Sequence, residues 1–74
     1  MPWLSGIANT SMDEFNFKIG DVVVLHKFWG RGHEIRRVVT GKFYATSETG
    51  RMYKLRLPCG KIEELDENWL ILIS

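Results

Sequence analysis

A chain of 74 residues, of which 45% are hydrophobic and 26% charged, can form one small globular domain and is too short for two. With seven glycines and two prolines it is neither collagen-like nor of low complexity, and one cysteine excludes an internal disulfide framework and a Cys-rich zinc site. The net charge of +1 at pH 7 provides no global field that would draw the chain onto nucleic acid or acidic lipid.

The beginning of the chain differs from the rest. Residues 1–14 have no hydrophobic period and carry several turn-favouring residues, which predicts a flexible N-terminal extension followed by one domain over residues 15–74. The start lacks a basic region and a long apolar stretch, so a secretory signal is not expected. The apolar runs at 22–25 and 69–73 are far shorter than the ~20 residues of a membrane span. We therefore expect a cytoplasmic protein without membrane contact.

Short β-branched runs separated by turn residues dominate the first half of the domain. The run at 22–25 follows Gly-Asp and is too short for a helix, so it predicts a strand. Two glycines within residues 30–32 predict a loop, and the β-branched segment 34–40 predicts the next strand. A Gly-Lys pair at 41–42 predicts a turn, and strand-forming residues follow at 43–46.

The second half of the domain reads as a hairpin and a closing strand. Apolar and polar residues alternate over 52–57, which predicts a half-buried strand with Tyr53, Leu55 and Leu57 on its core face. The following turn at 58–61 has glycine in third position, where a positive φ is required. As a two-residue hairpin, this turn would place Leu57 opposite Ile62 as an apolar pair and Arg56 opposite Glu63 as an exposed ion pair.

The end of the chain predicts one short turn and one last strand. Residues 66–68 favour a single helical or 3-10 turn, and the apolar run at 69–73 favours a strand after it. Short strands, tight turns and the lack of any helix of three turns predict a small all-β barrel or sandwich. Closure into a barrel would also remove exposed strand edges.

The order of these features resembles the SH3-like small barrels, a group that includes Tudor, chromo-barrel and KOW-type modules. The resemblance rests on FKIGDVVVL at 17–25, YKLRLPCGK at 53–61 and ELDENWLIL at 64–72. It implies a five-stranded SH3-like barrel over about residues 15–74, with a short 3-10 turn before the last strand. Such motifs describe architecture better than activity.

The families in this group imply different functions. Tudor-like modules bind methylated lysine or arginine in an aromatic cage, for which this chain offers Phe28, Trp29, Tyr44 and Tyr53. KOW-type modules bind RNA or ribosomal and transcription partners, but no KOW signature is present. The plasmid-type dihydrofolate reductase is a tetramer whose pore carries Val-Gln-Ile-Tyr. Here the corresponding strand reads Ile-Glu-Glu-Leu at 62–65, which argues against a pore-type oligomeric enzyme.

Residues with catalytic or metal-binding chemistry are few. Cys59 lies in a turn, and nothing in the sequence places either histidine, His26 or His33, beside it as a base or as a fellow zinc ligand. The acidic cluster Glu63, Glu64, Asp66 and Glu67 is interpreted as a solvated rim, because adjacent acids before a strand are usually exposed. We expect no catalytic site, no metal site and no cofactor.

The basic residues carry more information. All ten lie between residues 18 and 61, where only three acidic residues occur, so the chain is electrically divided although its net charge is small. The loop at 27–33 interleaves cations with aromatic rings, a mixture that suits a protein interface or contact with single-stranded nucleic acid. The candidate binding residues are Lys27, Phe28, Trp29, Arg31, His33, Arg36 and Tyr44.

Two functions follow from this pattern. The first is a non-enzymatic module for protein–protein interaction, including self-association, because its core is small and its loop carries aromatic anchors. The alternative is a nucleic-acid-binding module using the same loop together with Arg36, Arg37, Lys42, Arg51, Lys54 and Arg56. We expect the first because nucleic-acid modules usually have a strong basic excess.

Overall fold

The computed structural model describes residues 14–74. These residues form five β-strands, two 3-10 turns and no α-helix. The strands are β1 (Val22–Leu25), β2 (Arg37–Tyr44), β3 (Arg51–Arg56), β4 (Ile62–Asp66) and β5 (Leu70–Leu72), with 3-10 turns η1 (Lys27–Trp29) after β1 and η2 (Glu67–Trp69) before β5. The predicted all-β class and the 3-10 turn before the last strand are confirmed. The predicted extension lies outside the described residues except for residue 14.

The five strands form one antiparallel sheet in the order β4-β3-β2-β1-β5. Strands β1 to β4 follow one another as a meander, and β5 then returns to pair with β1 through Val23–Leu72, Val24–Ile71 and Leu25–Leu70. Strands β4 and β5 are therefore the two edges, and η2 links one edge to the other. This link brings the end of the chain next to its first strand.

The core lies on one face of this sheet because buried side chains alternate with exposed ones along the strands. It consists of Phe15, Val23, Leu25, Val39, Tyr53, Leu55 and Leu70, with Phe17 and Leu65 packed against it. Val23, Val39, Tyr53 and Leu55 are completely buried. The ring of Phe15 meets that of Tyr53 edge-on at 5.5 Å, so the segment before β1 covers one end of the core.

Strand β2 is longer than expected. The predicted turn at residues 41–42 is wrong, because β2 runs without interruption from Arg37 to Tyr44. Its pairing with β3 shifts between Val39 and Gly41, which leaves Thr40 as the extra residue of a β-bulge. The Thr40 hydroxyl donates a hydrogen bond to the Lys54 carbonyl at 3.1 Å. The bulge bends the strand and does not reverse it, since pairing with β3 continues on both sides.

The turn between β3 and β4 has one residue more than the predicted two-residue hairpin. The amide of Leu57 donates to the Lys61 carbonyl at 2.9 Å, and the amide of Gly60 donates to the Leu57 carbonyl at 2.9 Å. Gly60 has φ of 93°, so the loop combines a tight turn with a left-handed glycine. The need for positive φ at this glycine is confirmed.

The extra residue shifts the register of the hairpin by one position. Arg56 lies opposite Ile62, and Leu55 lies opposite Glu63. The predicted Arg56–Glu63 ion pair and Leu57–Ile62 apolar pair are therefore wrong, and Leu57 is half-buried and lies outside the core. Glu63 instead receives a hydrogen bond from Nε of Arg37 at 2.7 Å. A one-residue shift matters because it exchanges the faces on which the side chains lie.

Replacement of a core leucine tests the assigned faces of β3 and β4. Leu55→Ala should lower the free energy of unfolding by about 2–5 kcal/mol, because it removes a completely buried side chain and leaves a cavity. Ile62→Ala should cost about 1 kcal/mol or less, since Ile62 is 50% exposed at the β4 edge. Urea denaturation of the three proteins measures both values, and similar losses would contradict the assignment.

Candidate interaction surface

The turn η1 presents the aromatic residues of the 27–33 loop. It is closed by hydrogen bonds from the Trp29 amide to the His26 carbonyl at 2.9 Å and from the Gly30 amide to the Lys27 carbonyl at 3.2 Å. Gly30 ends the turn with φ of 100°, a conformation that residues with a Cβ rarely adopt. The His26 amide also donates to the Trp69 carbonyl at 3.1 Å, which fixes η1 beside η2.

Three aromatic rings lie on these two turns, and we call Phe28, Trp29 and Trp69 the aromatic surface. Phe28 is 84% exposed and Trp29 is 41% exposed. The rings of Trp29 and Trp69 meet edge-on with centroids 5.5 Å apart, while Lys27 Nζ lies 5.9 Å from the centroid of Phe28. The Trp29 ring is thus held by its contact with Trp69, whereas Phe28 projects into solvent and has no comparable ring contact among residues 14–74.

The remainder of the loop supplies one exposed cation and one internal polar contact. Arg31 is exposed, and within residues 14–74 no carboxylate forms an ion pair with Arg31 or Lys27. Nδ1 of His33 lies 2.9 Å from the Gly30 carbonyl and 3.1 Å from a carboxylate oxygen of Glu34. Both neighbours are acceptors, so Nδ1 carries the proton and His33 stabilises the loop.

Arg36 and Tyr44, the other two candidate binding residues, lie outside the aromatic surface. Arg36 lines a groove on the outer face of the sheet, where its neighbours include Arg56. Tyr44 is at the end of β2, and its ring packs against that of Phe15 at 4.9 Å. The residues grouped by the sequence therefore divide into a loop cluster and two separate positions.

Two of the arginines assigned to the nucleic-acid alternative form ion pairs with glutamates of the same chain. Arg37 is 2% exposed, pairs with Glu63, and donates from Nη1 to the carbonyls of Gly32 at 3.0 Å and Ile35 at 2.8 Å. The expectation that Arg37 forms part of a basic binding face is wrong. Its guanidinium fastens the loop before β2 to strand β4.

The second of these arginines, Arg51, belongs to a network around Glu67. The Glu67 carboxylate receives hydrogen bonds from the Tyr53 hydroxyl and from Arg51 Nε at 3.0 Å. It also receives one from the backbone N–H of Asn16 at 3.1 Å and one from Asn16 Nδ2 at 2.8 Å. Arg51 Nη2 forms an ion pair with the same carboxylate, at 2.9 Å from Oε1. Burial by itself raises the pKa of Glu67, but these donors outweigh it and lower the pKa to about 2. Burial and the bond to Glu67 raise the pKa of Tyr53.

Asp66, the preceding residue, is a second buried acceptor. Its carboxylate receives hydrogen bonds from the Ser47 hydroxyl at 2.6 Å, the Thr49 amide and hydroxyl at 3.0 and 2.9 Å, and the Asn68 amide at 2.7 Å. Burial opposes ionisation, but these bonds lower the pKa of Asp66 to about 2. Asp66 also caps η2.

The expectation that the acidic cluster is a solvated rim is wrong for Asp66 and Glu67, which are 6% and 8% exposed. Both carboxylates are held ionised with their oxygens occupied by donors of the same chain, so they cannot deliver protons near neutral pH. The arrangement is suited to fixing η2 and the loops that contact it. Among residues 14–74, no three His, Cys, Asp or Glu side chains are grouped as a metal site requires, and Cys59 is exposed in its turn.

Comparison with protein families, curated proteins and solved structures finds no match to this chain. Within residues 14–74, no helix has the length and apolar character needed to cross a membrane.

The buried carboxylates predict a loss of stability in acid. Because the pKa values of Asp66 and Glu67 are lowered to about 2 in the folded state, the unfolded chain binds more protons at low pH. Their contribution is complete above about pH 5 and disappears as the pH falls toward 2. Urea denaturation at pH 7, 4 and 2.5 should show this decline, and Glu67→Gln should make it shallower.

The same variant has a second expected effect. At pH 7, Glu67→Gln should lower the free energy of unfolding by about 1–3 kcal/mol, because Arg51 loses its buried counter-charge. Glu64→Gln is the matched control, since Glu64 is an exposed acid on β4, three residues before Glu67, with no ion pair to residues 14–74. An equal pH profile for wild type and Glu67→Gln would contradict the role of Glu67.

Proposed function

We propose that this protein is a non-enzymatic module for protein–protein interaction, built on an SH3-like small barrel. The strand order β4-β3-β2-β1-β5 and the 3-10 turn before the last strand support the SH3-like architecture, because that group has the same order of features. The aromatic surface, formed by Phe28, Trp29 and Trp69, is the contact site of the proposed module.

The observation that carries the proposal is the exposure of Phe28 on the hydrogen-bonded turn η1. A phenylalanine that is 84% exposed gains little from the fold of its own chain, whereas its burial against a partner would remove a large apolar area from water. Trp29 beside it is partly ordered by Trp69, so little conformational entropy would be lost on binding. Aromatic anchors flanked by arginine are the residue types that dominate protein interfaces.

A second copy of the chain is the partner for which the surface offers most support. The aromatic surface adjoins the edge strand β5, because η1 is hydrogen-bonded to Trp69 directly before that strand. Along and after β5, Ile71, Leu72 and Ile73 are 39%, 48% and 44% exposed, and the strand contains no charged residue to discourage edge pairing. Two copies related by a two-fold axis would cover the edge and the rings together.

The nucleic-acid alternative loses support from the internal ion pairs. Arg37 and Arg51, two of its basic residues, have their charges compensated by Glu63 and Glu67. Phosphate contacts depend on free cations, so fewer contacts mean weaker binding. We expect random single-stranded RNA or DNA to bind more weakly than about 10 μM at physiological salt, as measured by fluorescence anisotropy.

Sedimentation velocity from 1 to 100 μM tests self-association (the concentrations span roughly the micromolar range of a weak interface). We expect a dimer to form near micromolar concentration. Phe28→Ala should weaken association at least roughly tenfold, because it removes the exposed anchor. Trp29→Ala should weaken association more than Arg31→Ala does. Arg31→Ala should change the dissociation constant by less than about threefold.

Ile19→Ala provides the matched control, since Ile19 is 65% exposed but lies before β1, at the opposite end of that strand from η1. Its dissociation constant should equal that of wild type. A monomer of 8.6 kDa at every concentration would contradict self-association. Submicromolar oligonucleotide binding that weakens steeply with salt and is lost in Arg31→Ala would show a nucleic-acid module instead.

A further inference from the structure

A groove on the outer face of the sheet has properties that the aromatic surface lacks. Its volume is about 570 Å³, within the range of ligand-binding clefts. The groove is bounded by the β1–β2 pair, by the turn between β3 and β4, and by the end of the chain. Its lining residues are Val22, Arg36, Val38, Arg56, Leu57, Pro58, Gly60, Ile73 and Ser74.

The guanidinium groups of the two arginines in this groove have no partner within the described part of the chain. Neither the Arg36 nor the Arg56 side chain forms an ion pair or a hydrogen bond there. By contrast, Arg37 on β2 and Arg51 on β3 are each paired with a glutamate. No aspartate or glutamate side chain is among the residues lining the groove.

The register places charge and apolar surface side by side. Arg56 lies directly opposite Val38, which in turn lies opposite Val22, so the three side chains form a row on one face. Leu57, Pro58 and Ile73 extend the apolar lining on either side of this row. A guanidinium next to aliphatic surface attracts a carboxylate strongly, because the apolar neighbours reduce the screening by water.

We propose that this groove binds a short extended peptide segment that alternates acidic and aliphatic residues. Arg36 and Arg56 would each receive a carboxylate through paired N–H donors, while Val22, Val38 and Ile73 would contact the aliphatic side chains.

The lining favours a peptide over a nucleic acid. Single-stranded nucleic acids are bound mainly by aromatic side chains on which their bases stack, and no aromatic residue lines this groove. An aliphatic lining offers contact area to Leu, Val or Ile side chains. The groove shares no residue with the aromatic surface. Ile73 lines the groove and also follows the β5 edge that the proposed self-association would cover, so peptide binding is also measured in Phe28→Ala, in which self-association is weakened.

The test uses the full chain and two synthetic pentapeptides with blocked ends. The first alternates leucine and glutamate, and the second has glutamine in place of each glutamate. Isothermal titration at low ionic strength gives their affinities, and amide chemical shifts in ¹H–¹⁵N spectra show where they bind. We expect the acidic peptide to bind at least roughly tenfold more tightly than the glutamine peptide. Its shifts should be concentrated at Val22, Val38, Leu57 and Ile73.

Variants of the arginines separate a specific site from general charge attraction. Arg36→Gln and Arg56→Gln should each weaken binding of the acidic peptide roughly tenfold, because each loses one charge-assisted pair. Arg56→Lys should restore part of the loss, since it keeps the charge without the paired donors. Lys54→Gln is the matched control, because it removes one exposed positive charge from β3 outside the groove.

The affinities of these variants and of the two peptides decide whether the groove is a specific peptide site. Unchanged peptide affinity in Phe28→Ala would support a groove that is separate from the aromatic surface. Equal weakening by Lys54→Gln and Arg56→Gln, equal affinity for both peptides, or no binding of the acidic peptide at millimolar concentration would overturn it. Binding of a single-stranded oligonucleotide that is lost in Arg56→Gln, without peptide binding, would also overturn it.

Discussion

The buried carboxylate of Glu67 is the interaction on which the rest of the domain depends. It joins three parts of the chain that are distant in sequence, because Asn16, Arg51 and Tyr53 all donate hydrogen bonds to it. A charge in this position would be costly without such donors, so its presence requires that the segment before β1, strand β3 and the turn η2 lie together. The position of η2 in turn fixes Trp69, which follows Glu67 by two residues and supports the aromatic surface.

Internal pairing changes the meaning of the charge distribution. The sequence separates a basic middle from acidic ends, and its net charge is close to zero. In the fold, Glu63 and Glu67 compensate Arg37 and Arg51, and Asp66 is enclosed by uncharged donors. The charges that remain on the surface therefore cannot be deduced from a count of charged residues along the chain. This is why the Arg36 and Arg56 side chains have no ion pair to residues 14–74 in a protein of low net charge.

The same small sheet thus offers two unlike surfaces. The aromatic surface contains Phe28, whose exposure the internal packing of the domain does not explain. The groove near Arg36 is concave and aliphatic, with positive charge at its lining. They differ because one is built on 3-10 turns at the end of β1, whereas the other is built on the outer face of β1 and β2. A module with both could combine self-association with binding of an acidic segment.

Local patterns in the sequence determined the all-β class, the positions of β1 and β3, the burial of Tyr53 and Leu55 on β3, the glycine turn before β4 and the short turn before β5. These features depend on neighbouring residues, through side-chain alternation and turn geometry. Only the tertiary structure decided that β2 continues through Gly41, that Glu63 pairs with Arg37, and that Asp66 and Glu67 are buried. The physical reason is that a bulge, a register and an ion pair each depend on residues of another strand, whose position the local sequence does not contain.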